Sequence, residues 1–202
     1  MGRKVPQVTA AEVQAVRALA ARLDPEDKKA LLREIDKELT QRATTAHHEA
    51  GHAVVAVVQG LRFRQINITA QQMPGYTRLG WVELAPVKSN RGYSKRRDSD
   101  YLERLGRVDY AGYICQARFK RQEPRFVMTG EVSDLRTIAR SYFNSELKIR
   151  NWMRRLFDET CAILDRPDVW QAVELLAAEL LNKYHTSKGP RAARRIRRLL
   201  AR

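Results

Sequence analysis

TTAHHEAGHAVVAVVQG, residues 44–60, places three of the chain's four histidines within six positions and follows them at once with an apolar run. His48 and His52 are four apart, so on a helix both imidazoles leave the same face, separated by ~6 Å along the axis. Two such rings can hold one Zn²⁺, and Glu49 between them is placed to take a proton from water that the metal activates. The stretch HEAGH is thus an H-E-x-x-H motif, although the same residues also meet by chance in on the order of one chain in a few hundred. Context favours the metal reading. The flanks TTAH and AVVAVVQG predict an N-capped helix with an apolar face to bury, and Ala50 and Gly51 let a neighbour approach closely, at a helix-propensity cost of about 1 kcal/mol for the glycine. His47 points about 100° away from His48 and reads as an exposed or supporting imidazole. His185, far off beside a basic stretch, reads as a surface residue.

Outward from this helix the chain is mainly helical. Upstream, Thr9 and Glu12 form a capping-box pattern ahead of Val13, Val16, Leu19 and Leu23. A second start follows, with Asp24 as N-cap and Pro25 at the first helical position ahead of Leu31, Ile35 and Leu39. Residues 1–42 are therefore expected to form a helical hairpin. Downstream, Gly60 stops the site helix, FRQINIT (63–69) alternates as a strand, Pro74-Gly75 marks a tight turn, and LGWVELAPV (79–87) supplies a second strand with Pro86 near its end. These predict a small antiparallel sheet. Tyr101 to Phe119 reads as a helix with Gly112 as a candidate bend, and the remainder to about Tyr184 is helical apart from a break at LDRPD (164–168). The expected fold class is mainly α (α+β), with the second domain spanning residues 43–185 and a basic tail or helix over 186–202.

With 44% hydrophobic and 30% charged residues, the composition is that of a folded globular chain and excludes a disordered one. No stretch has the length of uncharged apolar sequence needed to span a bilayer, and the first ten residues lack the apolar core of a signal peptide, so a cytoplasmic protein is expected. Cys115 and Cys161 lie in helical patterns without metal-type spacing and read as buried free thiols. The net charge of +15 raises the question of a polyanionic partner. Seven basic residues and no acid lie in residues 186–202, where Arg191, Arg194, Arg195, Arg197 and Arg198 are candidate polyanion contacts. Nucleic acid, an anionic membrane surface, an acidic partner, or plain solvation all suit such a helix, whose other side carries Ala193, Ile196, Leu199 and Leu200.

A zinc hydrolase needs a third protein ligand, and no spare histidine lies near the motif. HEAGHAVVA resembles the zinc-binding helix of the FtsH-type ATP-dependent metalloprotease domain, and MTGEVSDLRTIAR (128–140) is similar to that family's downstream TTGASNDL segment, in which the aspartate ligates the metal. By this resemblance Asp134 is the third zinc ligand, preceded by Thr129 and Gly130 and followed by Leu135 and Ile138 as a helix face. From the residues alone, Asp134 at a helix start reads as a cap, with Ser133 able to cap in its place. INITAQQMPGYTRLGWVEL (66–84) resembles the family's strand and turn beside the cleft, where an edge strand would hold an extended peptide by main-chain hydrogen bonds. Trp152, Leu156, Ile163, Leu164, Trp170, Leu175, Leu176, Leu180 and Leu181 resemble its closing helices. The likeness implies a helical, zincin-like peptidase domain over roughly residues 40–184.

The departures are equally specific. AGYICQAR (111–118) stands where the family has GGRAAE, and no G-x-x-x-x-G-K-[ST] occurs, so the chain contains no P-loop for ATP. The resemblance therefore implies a zinc metalloendopeptidase that cuts flexible polypeptides, or substrates delivered by a separate ATPase or adaptor. The competing expectation is a catalytically inactive, peptidase-like scaffold that binds nucleic acid or protein.

Overall fold

The computed structural model describes residues 23–85, 95–128, 130–183 and 186–201, with Gln14, Ala15 and Ala18. Most of the first arm of the expected hairpin, residues 86–94, Thr129 and His185 lie outside them. The described residues form six α-helices and a small antiparallel sheet, a mainly α (α+β) fold.

Helix α1, Pro25–Val58, begins where Asp24 accepts hydrogen bonds from the N–H groups of Glu26 (3.0 Å) and Asp27 (3.1 Å) with Pro25 at the first helical position. It then continues without a break through the histidine motif, ~51 Å in all. Residues 42 and 43 are therefore neighbouring residues of one continuous helix. What changes along it is burial. The first turns are solvent-exposed, whereas Ala46, Ala50, Ala53, Val54, Val55 and Ala56 have no exposed surface. The Thr44 and Thr45 hydroxyls donate to the carbonyls of Thr40 (2.7 Å) and Gln41 (3.0 Å), which removes the cost of burying them.

After α1 come β1 (Phe63–Asn67), β2 (Gln71–Met73), β3 (Tyr76–Arg78) and β4 (Trp81–Leu84). β2 and β3 form a hairpin about Pro74-Gly75, and β4 pairs antiparallel with β1. The expected strict alternation in β1 is broken by a register shift between Phe63 and Gln65, so that Phe63 and Ile66 both reach the core. Helix α2, Lys95–Phe119, packs against α1 and runs continuously past Gly112. Gly130–Val132 forms a short 3-10 turn leading into α3 (Ser133–Ala139); α4 (Glu146–Asp165) and α5 (Pro167–Lys183) follow, separated at Arg166 where LDRPD predicts a break.

The segment read as a basic tail or helix forms a strand and a helix that are integral to the fold. Thr186–Lys188 is a strand, β5, paired antiparallel with β1, giving the order β4-β1-β5. Helix α6, Gly189–Leu200, then buries Ala192 and Ile196 in the core. No helix among the described residues is long and apolar enough to cross a membrane.

α1 and α2 meet at Gly51, where a Cβ would lie 2.6 Å from the Cys115 Sγ and 2.8 Å from the Ala111 carbonyl oxygen. Only glycine permits this approach. Its helix-propensity cost of about 1 kcal/mol is small against the ~1.5–3 kcal/mol gained by burying each large apolar side chain, such as Val54 of α1 and Ile114 of α2, in the core.

An ionic network ties α2 to α4 and to the end of α1. Arg107 donates to Glu159 (2.8 Å), the Gln59 side chain (3.1 Å) and Glu103 (3.3 Å), while Arg155 donates to Glu103 (2.6 Å) and Glu159 (2.9 Å). Burial alone would raise the Glu103 pKa, but the hydrogen bond and charge of Arg155, with Arg107, outweigh it and hold the carboxyl below its ordinary value of 4.5. A carboxylate with a depressed folded-state pKa contributes stability that is complete above the unfolded value and lost as pH falls through the folded one. Glu103→Gln is accordingly expected to cost about 1 kcal/mol at pH 7, its partners being partly solvent-screened. Its melting temperature should also fall less steeply than wild type below pH 4.5. Superimposable melting-temperature profiles for the two proteins would show that the network contributes nothing.

Candidate metal centre

The same crossing that closes α1 onto α2 assembles the histidine pair. The His52 Nδ1 lies 2.6 Å from the Val108 carbonyl of α2. A carbonyl only accepts, so Nδ1 carries the proton, which in a neutral ring leaves the Nε2 lone pair on the other side free to ligate. That Nε2 is 3.0 Å from the His48 Nε2, with the two rings 77° apart. Two nitrogens each about 2.0–2.1 Å from a tetrahedral zinc would be about 3.3 Å apart, so the pair converges at nearly the separation such an ion requires. The bond to Val108 is the outer support that ligating histidines commonly have.

Gly112 lies directly opposite. A Cβ on it would collide with the Nε2 atoms of both rings, 2.7 Å from that of His48. The glycine that reads from sequence as a bend is instead the space into which the two imidazoles point. Asp109 and Gln116, three residues before and four after Gly112, stand on the same face of α2 at either side of the pair.

Glu49 is 5% exposed, and the chain at Gly80 presses on it so closely that a Cβ there would lie 2.7 Å from Oε1. The cleft extends to both sides of this carboxylate. One lobe, of about 210 Å³, is lined by His52, Val108, Asp109 and Trp81. The other, of about 360 Å³, is lined by His48, Thr45, Tyr76, Leu79 and Gln116. Arg78 borders both lobes and lies over the Trp81 ring, 5.8 Å from its centroid, so the β3–β4 connection forms the cleft's outer wall.

The other expected residues separate from this group. His47 stacks on Phe119 with centroids 4.1 Å apart, and its Nδ1 donates to the Ala43 carbonyl at 2.8 Å, which turns it away from the pair. Asp134 is exposed in the first turn of α3, whose N-cap is Val132 with no side-chain capping bond, so neither Asp134 nor Ser133 caps it. Leu135 is buried against Gly106 as expected of a helix face, but Ile138 is 46% exposed. Among the described residues, no three His, Cys, Asp or Glu side chains gather to hold a metal ion. Cys115 is fully buried, which pushes its thiol up to about 12 and leaves it a packing residue.

Asp109, Gln116, Arg78 and Gly80 are absent from the sequence reading of the site. Of these only Gln116 lies in AGYICQAR, and the clue there is the single glycine, Gly112, in a helical pattern with the polar Asp109 and Gln116 about one turn to either side. Comparison of the chain with protein-family models and with the curated proteins yields no match.

Gly112→Ala tests the geometry directly. Overpacking against the two rings should destabilise the protein by about 1–3 kcal/mol, exceeding the ~1 kcal/mol that alanine adds in a helix interior. Adding His52→Ala removes the nearer of the two obstructing rings, so the double variant should be more stable than the sum of the single effects by at least about 0.5 kcal/mol. Strict additivity in thermal or urea unfolding would contradict the close approach.

Proposed function

We propose that the chain is a zinc-dependent metallopeptidase that hydrolyses flexible polypeptides. The observation that carries this reading is the convergence of the His48 and His52 Nε2 atoms at 3.0 Å beside the buried Glu49 carboxylate. The donor pair fits zinc in chemistry, tautomer and spacing. Asp134 is the third donor that the FtsH-type resemblance implies; its exposure on α3 means that the turn entering this seven-residue helix must move for it to coordinate. When bound, zinc would supply Lewis-acid activation of water and of the scissile carbonyl.

The chain's own residues supply the remaining steps. Glu49 takes a proton from the attacking water and returns it to the leaving amine, a general-base and then general-acid role favoured by its enclosed position. β4 is paired on one side only among the described residues, and Trp81, Val82 and Leu84 line the cleft with Glu49 and His52. An extended peptide added along that edge would run past Glu49, held by main-chain hydrogen bonds with little side-chain selection. Folded substrates would need an unfolding activity that these 202 residues, which hold no P-loop, do not supply.

One observation favours a second reading, a peptidase-like scaffold that binds without cutting. It is the exposure of Asp134, which leaves two nitrogen donors where hydrolytic zinc has three protein ligands. Metal analysis and digestion of an unfolded protein distinguish the two. Wild type purified without added zinc should carry about one equivalent and digest unfolded casein until a chelator is added. His48→Ala should lose the metal, and Glu49→Gln should keep it while losing hydrolysis. Asp134→Ala should weaken zinc binding at least about tenfold; the same loss on Asp109→Ala instead would move the third-donor role to the carboxylate already in the cleft. Wild type without zinc and without chelator-sensitive digestion would leave the binding scaffold.

A further inference from the structure

α6 presents its arginines in one direction. At 3.6 residues per turn, Arg191, Arg194, Arg195 and Arg198 fall within an arc of about 100°, and Ala192 and Ile196 fall on the buried side. The four guanidinium groups line a groove of about 610 Å³ between α5 and α6, larger than either lobe beside Glu49, with Leu175 exposed in its wall. Arg195 is held by Glu179, the single carboxylate among the groove's described lining residues. Arg191, Arg194 and Arg198 have no ion pair among the described residues.

The helix carrying them is fixed. β5 pairs with β1 immediately before it, a Cβ on Gly189 would overlap the Phe63 carbonyl, and Ile196 is 1% exposed. Three unneutralised guanidinium groups on a rigid face repel one another, and an anion with repeating charges relieves that repulsion. Arg191 to Arg198 spans ~10 Å along the axis, the rise of about three nucleotides along one strand of a duplex. Guanidinium also matches phosphate through paired N–H donors. A membrane surface fits less well, because interfacial helices insert an apolar face and the apolar side of α6 is already packed on the core.

We propose that the α5–α6 groove binds the phosphate backbone of duplex nucleic acid, without sequence readout, through Arg191, Arg194 and Arg198. This site is independent of the metal and of peptide hydrolysis. Fluorescence anisotropy with a DNA duplex of about 20 base pairs and random sequence should show binding at low salt that weakens steeply as salt rises. Arg191→Gln/Arg194→Gln/Arg198→Gln should weaken it at least about tenfold at roughly 50 mM salt and reduce the slope of log affinity against log salt by about 2–3. Lys28→Gln/Lys29→Gln/Arg33→Gln, which removes the same charge from the exposed start of α1, should leave both nearly unchanged. Circular dichroism verifies that both triple variants are folded. The inference is overturned by absence of duplex binding, by equal losses in the two variants, or by tighter binding to phosphatidylserine vesicles or poly-glutamate than to the duplex.

Discussion

The close crossing of α1 on α2 is the constraint from which the fold and the candidate site both follow. Two glycines make it, each from a different helix. Gly51 admits Cys115 and the Ala111 carbonyl against α1, and Gly112 admits the paired imidazoles against α2. A side chain at either position would push the helices apart, lengthen the His52 contact to the Val108 carbonyl and release the ring that it orients. The fully buried alanines at positions 46, 50, 53 and 56 extend the same close packing along α1.

Much of this was legible in sequence because it is local. Asp24-Pro25 announces a helix start, Pro74-Gly75 a hairpin, and Arg166-Pro167 a break, each through one or two residues with restricted backbone or capping chemistry. The spacing of His48 and His52 is likewise a property of one helix. Features that depend on docking were not legible. The solvated and buried halves of α1 differ in composition and read as separate helices, although no residue between them stops the backbone. Thr186–Lys188 has no periodicity of its own and becomes a strand only by pairing with β1. A lone helical glycine reads as a bend until its neighbour is known, and the exposure of Asp134 depends on how α3 seats on the core through Leu135.

The three-stranded sheet connects the two candidate surfaces. β1 is central; β4 on one side borders the Glu49 cleft, and β5 on the other leads directly into the arginine-bearing helix. The basic segment is therefore framework as well as surface. Its apolar positions complete the core, and its charges point outward into a groove lined by both α5 and α6. Clustered like charges usually disfavour a compact state, and here the burial of Ala192 and Ile196 and the pairing of β5 hold them in place.

The most direct test of the metal centre is an anomalous difference map at the zinc edge, from crystals of wild-type protein purified without added metal. A single strong peak within about 2.0–2.1 Å of the Nε2 atoms of both His48 and His52, with a carboxylate oxygen completing the site, is the expected result. A map with no peak between the two histidines, or with zinc bound only elsewhere, would contradict it.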